Sequence, residues 1–233
     1  MLMYPLCFAL VASSLVNAQV TVDSLTIDFS EDKENALATG SIDITSDPVD
    51  GVKFVMTLSL LDVMSDDTYA ECLDGDGAPG DTILLDWHIH VGKPVDGEGV
   101  KEECDTDAGV LGHYDPTFAC GSTSNEVEAC EALGRSPTDA QFSYDCNPEA
   151  YNTNPYACQV ADYSGKFGAA VATIQDDGNA VIGLEVTDHW GSPLEFWEGM
   201  TLVFHCGTPR IFCGEMSEKS VLDGITLPGL TLG

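Results

Sequence analysis

Positive charge is scarce in this sequence. Lys and Arg number 8 against 39 Asp and Glu, a formal net charge of −31 over 233 residues, and the eight cations are scattered. A surface of that sign without a basic patch repels phosphate backbones and anionic bilayers, which excludes nucleic-acid and membrane-surface binding. Long apolar runs are missing too: none approaches the roughly 20 residues that a spanning helix needs, so no membrane insertion is expected. Cysteine pairs of the C-x-x-C kind are absent, which argues against a structural zinc site. There is no N-x-[ST] acceptor, so N-glycosylation is not expected. No stretch has sustained helical periodicity, and no segment repeats. What is abundant is apolar residue content, 44%, too high for a disordered acidic tail. The charge therefore decorates a folded chain long enough to bury a core.

The first residues supply a compartment. Leu6 to Ala12 lie in a short apolar stretch that ends in Val16-Asn17-Ala18, a small-residue cleavage signature before Gln19. Residues 1–18 read as a secretory signal, although its start carries no Lys or Arg. Removal of that segment discards Cys7 and leaves Cys72, Cys104, Cys120, Cys130, Cys146, Cys158, Cys206 and Cys213. An even set in an oxidising compartment reads as disulfides, with many pairings open. The expected location is extracellular.

The body of the chain, residues 19–222, is strand-like. Val20 to Phe29 alternates apolar and polar residues, and Leu37 to Ile44, Val52 to Val63 and Thr82 to Val91 repeat the pattern. Gly168 to Ile174, Ala180 to Val186, Met200 to His205 and Arg210 to Met216 complete eight short strands. Asp177-Gly178-Asn179 marks a hairpin. Eight such strands with turn chemistry between them predict an all-β sandwich or barrel. Gly92 to Ala161 differs: it is rich in Gly, Pro, Asn, Asp and Ser, and holds five of the eight cysteines. A loop of that length is functional or stapled, with a short helical turn expected at Glu126 to Leu133. Residues 223–233 read as a loose tail, without the apolar length of a lipid-anchor signal.

Histidine occurs five times. His88 and His90 stand at i and i+2 on an expected strand, so both project from one face. Such a pair suits a transition metal, and equally suits a solvated strand face. His113 lies in the long loop and His205 ends a later strand. His189 reads as a surface or loop residue.

Together these segments resemble the copper/zinc superoxide dismutase family. Trp87-His88-Ile89-His90-Val91-Gly92 is similar to its F-H-V-H segment, and Ala108 to Pro116 to its A-G-x-H-[FYL]-[ND]-P segment, with two extra residues between Gly109 and His113. Asp162-Tyr163-Ser164-Gly165, Leu202-Val203-Phe204-His205 and Arg210-Ile211-Phe212-Cys213-Gly214 match three later segments in order. The resemblance implies an eight-stranded Greek-key barrel of immunoglobulin-like type with a long disulfide-stapled loop. It implies one copper per chain, held by His88, His90, His113 and His205, and Arg210 as the residue that holds the anionic substrate. A Cys104–Cys213 disulfide follows from it as well.

Two departures matter. Between His113 and Asp162 there is no histidine, and Gln159 stands where a zinc ligand would, so zinc is not expected. Only Cys206-Gly207-Thr208-Pro209 separates His205 from Arg210, where the family has a long loop. Both losses mark the family's copper-only extracellular branch. The implied activity is conversion of superoxide to dioxygen and hydrogen peroxide by a monomer or weak homodimer. Gln159 and Asp162 are candidates to support the ligands, and Asp162 equally suits a turn cap. An extracellular copper-binding or storage protein on the same fold is the competing reading, motivated by the acidic surface and by Gln159. A structural wall or matrix protein fits the set of four histidines and Arg210 less well.

Overall fold

Alternation of apolar and polar residues becomes the two faces of a barrel wall. The computed structural model describes residues 22–30, 36–74, 80–94, 98–99, 104, 109–136, 139 and 141–219. The expected signal at 1–18 and the expected tail at 223–233 lie outside the described residues. Each of the eight expected segments forms a strand: β1 (Ser24–Phe29), β2 (Ala38–Asp47), β3 (Gly51–Leu60), β4 (Thr82–His90), β5 (Ala170–Ile174), β6 (Ala180–Asp188), β7 (Thr201–His205) and β8 (Arg210–Glu215). Two-residue strands at 73–74, 98–99 and 217–218 add to their edges.

β3 shows how the pattern works. Val52, Phe54, Met56, Leu58 and Leu60 are buried, while the residues between them face outward. The turn into β3 has local causes: the Asp47 carboxylate accepts from the amides of Val49 (2.7 Å) and Asp50 (2.9 Å), an arrangement that short acidic side chains favour.

The strands are antiparallel in the order β1-β2-β3-β6-β5-β4-β7-β8. β3 lies beside β6 and β4 beside β7, the non-consecutive neighbours of a Greek key. The chain continues from β8 into 217–218, which pairs with β1 at Thr26 and Leu25, so the sheet nearly closes on itself. Inside, Phe54, Trp87, Tyr163 and Trp197 pack with ring centroids 4.6 to 6.2 Å apart.

β4 is the pivot. Its first half, residues 82–85, pairs with β5, and its second half, 86–90, pairs with β7. Ile83, Leu85, Trp87 and Ile89 fill the barrel, and on the other face His88 and His90 meet Asp162 and His113. Two backbone hydrogen bonds strap the long loop to the strand, Ile89 N–H to Ala161 O at 3.1 Å and Tyr114 N–H to Ile89 O at 3.0 Å, and a third, Ala161 N–H to Tyr114 O at 3.1 Å, ties the two loop segments to each other. Within the loop, helices α1 (Val127–Ala132) and α2 (Pro148–Thr153) precede α3 (Tyr163–Phe167).

Disulfides join Cys72 to Cys206, Cys104 to Cys213, Cys120 to Cys130 and Cys146 to Cys158. Cys104 and Cys213 pack with Val110 and Val203 in a small cluster of their own, on the outer face of β7 and β8. Cys206 instead joins the barrel core. Among the described residues no helix is long and apolar enough to cross a membrane.

Candidate metal centre

His88 and His90 stand on the outer face of β4, and His205 ends β7 directly opposite Asp86. His113 reaches the same place from the loop, bridged to His90. The four rings converge: His88 stacks on His113 at 4.2 Å between centroids, His90 lies 4.8 Å from His113, and His205 lies 5.0 Å from His88. One ring nitrogen from each residue falls within 4.8 Å of the others. His90, His113 and His205 are buried and His88 is partly so.

Each ring is anchored through one nitrogen and presents the other. His90 Nδ1–H donates to Leu111 O at 2.8 Å and His113 Nδ1–H to Gln159 Oε1 at 2.9 Å. His205 Nδ1 faces Thr208 O at 3.5 Å. His88 Nε2 lies 3.4 Å from Asp162 Oδ1. The opposite nitrogens, His88 Nδ1, His90 Nε2 and His205 Nε2, are buried without a hydrogen-bond partner among the described residues. Buried polar atoms normally find a partner. Three such atoms aimed into one cluster leave lone pairs for a cation, with His113 Nε2 as the fourth.

Electrostatics favour the same use. Burial holds His90 well below its ordinary range, reinforced by neighbouring His113. Burial brings His113 down to about 4 and His205 to about 3, with His88 adding to both. The His90, His113 and His205 rings are therefore neutral at neutral pH, the form that ligates metals without proton competition.

Asp162 serves two roles at once. Its Oδ1 accepts from Gly165 N–H at 2.7 Å, capping α3, while facing His88. Burial pushes its carboxyl up, but the contacts with His88, Tyr144 and the Gly165 amide prevail and bring it to about 2. Gln159 is 1% exposed and lies over Gly121, where a Cβ would come within 2.8 Å of its side chain. The glycine gives the amide room to reach His113.

Arg210 pairs with His205 in register. Its Nη1 donates to Cys104 O and its Nη2 to Leu111 O, both at 2.7 Å, and Nη2 lies 3.3 Å from His90 Nδ1. Leu111 has φ of 55°, a left-handed conformation uncommon for leucine, and its carbonyl thereby serves both His90 and Arg210. His189 is exposed, facing Asp50 O at 2.7 Å, away from the cluster.

Sequence reasoning passed over the polar supports of the 159–162 turn. Lys166 Nζ, 3% exposed, donates to Val160 O at 2.7 Å and to Asp188 Oδ2 at 2.8 Å. Tyr151 donates to the same carboxylate, as does the Trp190 amide. On the other side stands Tyr144. Neither Lys166 nor Tyr144 belongs to a recognisable spacing, so no signal in the sequence marks them.

No protein-family model matches the sequence, and no curated protein matches it. Solved structures similar to the chain include Candida albicans Superoxide Dismutase 5 in a Cu(II) form. The two are 18% identical with a TM-score of 0.47, over 91% of this chain and 100% of that one. Another is the clock protein EA4, 13% identical with a TM-score of 0.43, over 86% of this chain and 98% of that one.

Proposed function

We propose that the chain is a secreted superoxide dismutase that works at one copper ion without zinc. The observation that carries this reading is the convergence of four imidazoles, three of them with a buried ring nitrogen lacking a partner among the described residues. An all-nitrogen set of imidazoles suits copper. His88 would ligate through Nδ1, and His90, His113 and His205 through Nε2. Copper, when bound, supplies one-electron exchange between its Cu(II) and Cu(I) states. Two superoxide anions and two protons then give one dioxygen and one hydrogen peroxide.

The residues do the rest. Asp162, Leu111, Gln159 and Thr208 each hold the far nitrogen of one ring, which fixes its tautomer and direction. Arg210 would receive the anion, its guanidinium being steadied by the carbonyls of Cys104 and Leu111. Four disulfides favour an oxidising compartment, in keeping with residues 1–18 as a secretory signal and 19–222 as the mature domain.

A second reading, an extracellular copper binder with little turnover, is favoured by the charge. The net value is −31, and Lys53, Lys93, Lys166 and Lys219 are each paired with a carboxylate. Reconstituting stripped protein with Cu(II) and Zn(II), then measuring metal content and superoxide consumption, separates the two. One copper, no zinc and fast turnover is the expected result. One copper without turnover establishes the binder, and failure to bind copper overturns both readings. Replacing His88 or His205 should remove the activity and leave the barrel folded.

A further inference from the structure

The polar chain behind the histidines leads to one hydroxyl. Tyr144 donates to Asp162 Oδ2 at 2.7 Å and accepts from the backbone N–H of Gln159 at 3.0 Å. Asp162 is the partner of His88, and Gln159 is the partner of His113. A single phenol therefore touches both residues that set the two stacked rings.

From this juxtaposition we infer that Tyr144 is a positioning residue, which fixes His88 and His113 together through Asp162 and Gln159. The inference rests on reading the cluster as a copper site.

Three features support it. Tyr144 lies two residues before Cys146, whose disulfide partner Cys158 immediately precedes Gln159, so a covalent link ties the phenol's segment to the turn it braces. Gly165 lies where a Cβ would collide with both Cys146 Sγ and Asp162 Oδ2, so the disulfide and the carboxylate approach through a gap that only glycine leaves. Burial and the Asp162 charge raise the phenol well above its ordinary range, so the hydroxyl keeps its proton and acts as donor to the carboxylate.

Without the hydroxyl, Asp162 Oδ2 loses its donor and is able to rotate away from His88. The Gln159 amide loses its acceptor, and the turn that carries the His113 partner slackens. Lys166 still holds Val160 O on the other side, so Tyr144→Phe should loosen the support without releasing the turn.

The test compares full-length wild type with Tyr144→Phe, each with four disulfides intact. In the metal-free proteins, nitrogen-detected NMR reads the tautomers of His88 and His113 and the exchange of their ring N–H protons. The variant should show faster exchange at both rings, with His90 unchanged. Cu(II) competition against a chelator should show roughly 10-fold weaker binding, the loss typical when a supporting partner of a ligand is removed, and the copper electron paramagnetic resonance spectrum should shift. Ring exchange and copper binding equal to wild type would overturn the assignment. Should the variant fail to fold, wild type alone decides: the Tyr144 hydroxyl proton must appear as a slowly exchanging signal with a contact to the Asp162 turn, and its absence overturns the assignment. If wild type takes up no copper, the function proposed above fails, and the metal-free ring exchange still decides the role of Tyr144.

Discussion

Acid should destabilise the metal-free protein well before its carboxylates begin to protonate. His113 and His205 are held at about 4 and about 3, against an ordinary 6.5, chiefly by burial and then by the neighbouring rings. In the unfolded chain these imidazoles take up a proton near 6.5; in the folded chain they do not. Stability is therefore complete above 6.5 and falls as the pH drops through that value toward the folded pKa. From 6.5 down to about pH 5 the loss is about 1.4 kcal/mol per pH unit for each ring, or about 2 kcal/mol each and about 4 kcal/mol together. His90, also held down by burial, acts in the same direction. Asp162, at about 2 against an ordinary 3.8, contributes only lower: its stabilisation is present above 3.8 and disappears as pH falls through about 2. Against a domain stability of about 5–15 kcal/mol, the histidine effect is large. Urea unfolding of chelator-treated, non-reduced protein at several values between about pH 7.5 and about pH 5 measures it directly. His113→Gln should remove its share of the slope, about 2 kcal/mol at pH 5. A urea midpoint that stays constant or rises on acidification would refute the reasoning, because rings that accept protons freely in the fold are not buried as described.

Two further outcomes follow from charge. Because the net charge is −31 and superoxide is an anion, modest added salt should raise the rate of superoxide consumption by screening long-range repulsion; a clear decrease across an ionic-strength series in stopped flow would contradict this. Lys166→Met should destabilise the protein by about 3 kcal/mol, the lower end of the range for breaking a buried ion pair, since Asp188 keeps the Tyr151 hydroxyl and the Trp190 amide; a loss under about 1 kcal/mol in urea would show that the pair is not as desolvated as its burial implies.

Strands were legible because burial on one face leaves a period of two in the text, as Val52 to Leu60 shows. The edge pieces, 73–74 beside β4 and 217–218 beside β1, are too short to carry a period and emerge only from pairing. The same logic governs the site. His88 and His90 declare a common face by spacing alone, whereas the meeting of His113 and His205 with them depends on loop closure and strand order. Cys72 and Cys206 stand 134 residues apart, and no local pattern connects them. Tyr144, Lys166 and Asp188 are common residue types whose meaning arises from three-dimensional neighbours. Asp162 shows why two readings of one residue need not compete: an α3 cap and a histidine partner use the same oxygen.

The two faces of β4 divide the labour of the molecule between odd and even positions. Trp87 and Ile89 belong to the barrel interior, while His88 and His90 belong to the cluster outside it. Point substitutions on one side can therefore accumulate with little consequence for the other, and chemistry and foldability become separately evolvable within four adjacent residues. An inserted or deleted residue has no such freedom. A slip of one position would exchange the faces, carrying imidazoles into the barrel and an indole into the cluster. The segment tolerates revision letter by letter, but its reading frame in space is locked.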